Sequence, residues 1–183
     1  WQKRNLATSQ TETAKVQQLM DEANATADNP NALASITASA DKIVKDDIDS
    51  VQAIQTQFVL AKLAYEKQDY AAAEKALKKV ENSKVKDEGL IQVVKLRLAD
   101  AQLAQNKYDE ALKTLSGDVD PAFKATVEEL RGDIFVAKKD IDSAKKAYQA
   151  AWDSLLERKQ ERQILQIKLE SVGVLVEDPQ IER

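Results

Sequence analysis

The chain of 183 residues contains no cysteine and no histidine. It therefore cannot build a disulfide, a thiolate nucleophile, a cysteine–histidine zinc site, a Ser-His-Asp triad or an imidazole pH switch. The missing thiols are also compatible with an oxidising compartment. With only four glycines and three prolines, the chain has few positions for the turns of a sheet, and the scattered glycines form no phosphate-cradling loop. No apolar run approaches the roughly 18 residues that cross a bilayer. Net charge is −4, with a pI near 5.1 and both signs interleaved along the chain. Nothing in that pattern favours nucleic acid or an anionic membrane surface as a partner.

What is present is helical periodicity. The stretch from Leu98 to Leu115 reads LADAQLAQNKYDEALKTL. Leu96, Ala99, Leu103 and Ala104 recur at helical spacing; Asn106 and Lys107 then interrupt the stripe, and Tyr108, Ala111, Leu112 and Leu115 resume it. Two helices joined by a tight turn follow, each with one apolar face that needs a neighbour. The chain supplies such neighbours. A shift of 38 brings Ala61, Tyr70, Ala73 and Leu77 onto Ala99, Tyr108, Ala111 and Leu115, and a further shift of 33 reaches Gly132, Ile141, Ala144 and Tyr148. Small residues at Ala61, Ala99 and Gly132 let paired backbones approach, those at Ala73, Ala111 and Ala144 accept the partner helix, and Tyr70, Tyr108 and Ile141 plug the turn. A repeat near 34 residues is the length of a tetratricopeptide unit, so the expected fold is an all-α, TPR-like solenoid of helical hairpins with flanking helices. An irregular helical bundle is the alternative.

Along the chain, a helical N-terminal part spans 1–49, interrupted at Asn29-Pro30-Asn31, and Ser50 or Asp49 is placed to cap the next helix. Repeats are expected over about 51–82, 89–116 and 121–152. Gly117 is suited to a left-handed helix end and Pro121 to a first helical turn. A capping helix over about 154–176 closes the stack, and the whole forms a single domain. The chain begins at Trp1 rather than Met, and Trp1, Lys3 and Arg4 would suit the polar flank of a membrane span lying ahead of residue 1.

Chemistry-bearing clusters are sparse. Asp47 with Asp49, and Asp118 with Asp120, resemble half a calcium loop but lack its later glycine and bidentate glutamate; acids favouring a helix N-terminus account for them. No catalytic residue, metal site or cofactor is expected. The informative surface is instead the groove lined by the first helix of each hairpin. Its candidate residues are Phe58, Lys62 and Tyr65; Val93, Leu96, Asp100 and Leu103; and Glu129, Asp133 and Val136. Asp100 and Asp133 disfavour a clamp for a partner's carboxylate, whereas Phe58 and Tyr65 suit an amphipathic helix or an unfolded apolar segment. In the competing arrangement the helices before Val51 or after Ser154 fill the groove and turn these residues into core.

The stretches LRLADAQLAQNKYDEALKTL (Leu96 to Leu115), ELRGDIFVAKKDIDSAKKAYQAAW (Glu129 to Trp152) and LQIKLESV (Leu165 to Val172) together resemble the YfgM family, the ancillary subunits of the bacterial SecYEG translocon. The resemblance runs from about Gln55 onward and is weakest over Leu6 to Asp49. It implies an inner-membrane anchor ahead of residue 1 with the TPR domain in the periplasm, association with SecYEG and with the membrane-anchored chaperone PpiD, and help in passing emerging polypeptides to periplasmic chaperones. It implies no catalytic motif. A homo-oligomerisation module and a cytosolic TPR co-chaperone are the alternative functions.

Overall fold

The structure, a computed structural model, describes residues 14–22, 29–158 and 163–173. Among them are nine helices and no strand: α1 over 14–22, α2 Pro30–Asp46, α3 Val51–Glu66, α4 Tyr70–Lys78, α5 Glu88–Ala104, α6 Tyr108–Thr114, α7 Lys124–Ala137, α8 Ile141–Arg158 and α9 Gln163–Ser171.

Three short turns, α3–α4, α5–α6 and α7–α8, close in the same way. Gln68, Asn106 and Lys139 take left-handed φ values of 56°, 62° and 64°. Their amides donate to the carbonyls of Tyr65, Leu103 and Val136, each at 2.9 Å, and the next amides, of Asp69, Lys107 and Asp140, donate to Ala64, Gln102 and Phe135 at 2.8 to 2.9 Å. This pair of bonds is the Schellman motif, which satisfies the last carbonyls of a helix. The three left-handed residues stand 38 and 33 apart, matching the shifts that align the sequence. The residue after each one directly precedes the next helix, at its N-cap position. The carboxylates of Asp69 and Asp140 accept from the amides of Ala72 and Ser143, both at 3.1 Å, whereas Lys107 makes no side-chain cap bond.

Other ends follow their local chemistry. Asn29 caps α2 through the amides of Asn31 and Ala32, with Pro30 in the first turn, and the Ser50 hydroxyl accepts from Ala53 at 3.1 Å to start α3. Asp49 does not cap; its carboxylate accepts from the Lys84 amide at 2.6 Å. Gly117 has φ 101° beyond the end of α6. Pro121 falls outside α7 rather than in its first turn. Asp120 closes a separate turn there, accepting from Ala122 at its carboxylate and from Phe123 at its carbonyl, both at 2.8 Å.

Two compact units divide the chain, the first ending at Ala101 and the second starting at Gln102, so the division falls inside α5. In the first unit Leu19, Ile36, Ala40, Leu60, Leu63 and Leu77 belong to one core with Leu98, and Ile54, Val80 and Val94 form another beside it. In the second, Tyr148, Ala151 and Trp152 of α8 pack with Leu165 and Leu169 of α9, with Phe135 alongside. Of the capping helix expected over about 154–176, positions 159–162 lie outside the described residues. Ser154 is buried inside α8, which runs unbroken to Arg158, and α9 then starts at Gln163; positions 174–176 lie outside the described residues, as does Leu6.

Candidate functional site

Each unit carries its own share of the first-helix face. In the first, helical spacing on α3 sets Phe58, Lys62 and Tyr65 on one side, and α5 contributes Val93, Leu96 and Asp100. The Tyr65 hydroxyl donates to Asp100 at 2.9 Å, and its ring meets Tyr70 edge-on, with centroids 5.3 Å apart. Burial, then the Asp100 charge, raise the Tyr65 hydroxyl's pKa well above the usual tyrosine value. The Arg97 guanidinium lies 4.3 Å over the Phe58 ring, a cation–π contact. Phe58, Tyr65, Val93 and Leu96 are half-buried, while Lys62 and Asp100 are exposed. This face therefore offers apolar side chains between charges.

In the second unit Leu103 is half-buried at the end of α5, and α7 presents Glu129 and Asp133, with Val136 39% exposed. Lys168, from α9, donates to Glu129 at 2.7 Å and to Asp133 at 3.0 Å, and the Tyr148 hydroxyl donates to Asp133 at 2.6 Å. Burial by itself would lower the Lys168 pKa; the hydrogen bonds to Glu129 and Asp133 outweigh it and hold the ammonium above its ordinary range. Burial and the Asp133 hydrogen bond push the Tyr148 hydroxyl up. Glu129 is thus engaged by α9, and Asp133 by both α8 and α9.

The packing seats are occupied unevenly. Ala61, Ala73, Ala99, Ala111 and Ala144 are buried, and Tyr70 and Tyr108 are half-buried. A Cβ on Gly132 would stand 2.2 Å from Cε1 of Tyr148, so the ring lies directly on the glycine. Ile141 departs from the expected plug, being 42% exposed. It follows Val136 just as Tyr70 follows Tyr65, but two branched aliphatic side chains lack the reach of a pair of rings set edge to face.

Sequence reasoning did not single out Arg97, Tyr148 as a hydrogen-bond donor, or Lys168. For Arg97 a signal existed: it is a cation on the helix that faces Phe58. Lys168 meets partners 35 and 39 residues away, and nothing local announces that. Half-buried apolar side chains rimmed by satisfied polar groups have the make-up of a protein-contact surface.

A family model described as a tetratricopeptide repeat-like domain matches residues 1–174. Among curated relatives, the chain is 32% identical over 131 residues to an ancillary SecYEG translocon subunit of Aggregatibacter actinomycetemcomitans, covering 72% of this chain and 63% of that protein. It is 30% identical over 146 residues to the protein of the same name from Neisseria gonorrhoeae, covering 80% and 69%, and 35% identical over 117 residues to that of Haemophilus influenzae, covering 64% and 57%. The chain thus spans less than two thirds of the first and third of these relatives. No solved structure matches it significantly.

Proposed function

The chain belongs to the family of ancillary SecYEG translocon subunits and carries a tetratricopeptide repeat-like domain, and from that membership we propose that it serves as a non-catalytic docking module at the translocon. The single observation behind this reading is the identity to proteins of that name. In this proposal the domain stands on the periplasmic side of the bacterial inner membrane and links translocation to periplasmic chaperones. Its partners are SecYEG, the membrane-anchored chaperone PpiD and translocating segments. The first-helix faces make the contact, through half-buried anchors such as Tyr65, Leu96 and Leu103. A side chain of this size contributes about 1.5 to 3 kcal/mol when fully buried, so a few give useful transient affinity.

Replacing Leu96 and Leu103 with Asp tests it. Provided helicity by circular dichroism is retained, membrane pull-downs should lose SecYEG and PpiD; undiminished recovery of both would refute docking through these faces. One observation favours a second reading, self-association through α9: Ile167 is 66% exposed on that helix. Light scattering separates the two, because a monomer at tens of micromolar rejects self-association.

A further inference from the structure

In the first unit α2, α3 and α4 leave an open groove of about 400 Å³. Leu60, Leu63 and Ala64 of α3 form its floor, between Leu33 of α2 and Ala72 and Ala76 of α4. It lies away from the face proposed above. At 100° per residue, positions 60, 64 and 67 share an arc of roughly 60° on α3, and 58, 62 and 65 lie roughly opposite. The rim carries Lys67, Lys75 and Lys79 against Asp41 and Asp69. Both rim acids are already engaged: Asp41 accepts from Lys79 at 2.6 Å, and Asp69 accepts from the Ala72 amide at 3.1 Å. Lys75 is exposed and has no partner among the described residues, so the rim is left with a cation to be matched.

We infer that this groove docks an amphipathic helix of a partner protein, with two apolar side chains one turn apart on the Leu60–Leu63–Ala64 floor and a carboxylate nearby that pairs with Lys75. The occupant is helical for a physical reason. The walls are helices whose backbone groups are already bonded, so an extended strand would find no main-chain partners, whereas a helix satisfies its own. The groove's lining along α3, from Leu60 on the floor to Lys67 on the rim, is about 11 Å long, enough for two turns. Excess positive charge on the rim selects acidic flanks.

The test uses the full chain and two fluorescently labelled synthetic peptides that share one leucine stripe, one flanked by glutamates and the other by lysines. In anisotropy titrations at low salt the glutamate peptide should bind roughly tenfold more tightly or better. Lys75→Glu should reverse that preference. Ala72→Trp, a change at an exposed wall position, should weaken the glutamate peptide about tenfold by filling the groove, and Leu96→Asp should leave it unchanged. Equal binding of both peptides, binding of neither, or a titration indifferent to Ala72→Trp would overturn the inference. The comparison of peptides on the unaltered chain needs no variant to fold, and loss through Leu96→Asp alone would point to the opposite face.

Discussion

Gly132 shows how one hydrogen in place of a methyl group sets the spacing of two helices. The Tyr148 ring covers it so closely that a Cβ would come within 2.2 Å of Cε1, while the matching pairs elsewhere in the chain are Ala61 with Leu77 and Ala99 with Leu115. Ring and glycine compensate for each other in volume. Gly132→Ala is expected to destabilise by about 1 to 3 kcal/mol, and adding Tyr148→Leu should recover part of that loss. Chemical denaturation of the two single variants and the double variant measures the coupling, and strictly additive effects would show that the contact is not the cause. Gln57 is a different residue-scale case. It is fully buried in α3 with neither amide atom hydrogen-bonded. A buried amide without partners costs about 1 to 3 kcal/mol, so Gln57→Leu should raise the melting midpoint, and a lowered midpoint would reveal a hidden partner.

At the scale of elements, the hairpins owe their shape to turns that use no glycine. An L residue held left-handed costs roughly 1 to 2 kcal/mol, and Gln68 and Lys139 bear that cost without the local hydrogen bonding open to an asparagine. Gln68→Gly and Lys139→Gly should therefore each stabilise by about 0.5 to 1 kcal/mol, the gain being reduced by glycine's greater freedom in the unfolded chain. The second turn differs where α6 starts, because Lys107 occupies the position at which Asp69 and Asp140 cap. Lys107→Asp should add about 1 kcal/mol by accepting from a first-turn amide. Thermal melts of the three variants check both statements, and a neutral Lys107→Asp would mean that water already serves the end of that helix.

For the whole molecule, pH reports on the tertiary contacts. Burial and their aspartate partners raise the pKa of Tyr65 and Tyr148 above the ordinary tyrosine value of 10.0, and carboxylate hydrogen bonds, overcoming burial, raise that of Lys168 above 10.5. In each case the folded chain holds the proton more tightly than the unfolded chain does. The associated stability is complete below about pH 10 and is lost as pH climbs through the folded values. The melting midpoint should fall between about pH 10 and pH 12, and Tyr65→Phe with Tyr148→Phe should flatten that fall; an unaltered slope in the double variant would remove the tyrosines from the account. These contacts also mark where sequence reading stops. Composition, the 3.6-residue stripe and the turn residues determined the hairpins and their register, because helix periodicity, capping and left-handed turns depend on neighbours a few residues away. Tertiary structure alone decided that α8 runs on through Ser154, that Lys168 reaches Glu129 and Asp133, that Ile141 faces water, and that α2 and α4 leave a groove over α3. Those outcomes depend on how helices far apart in the chain lie against one another, a property that no local pattern of residues encodes.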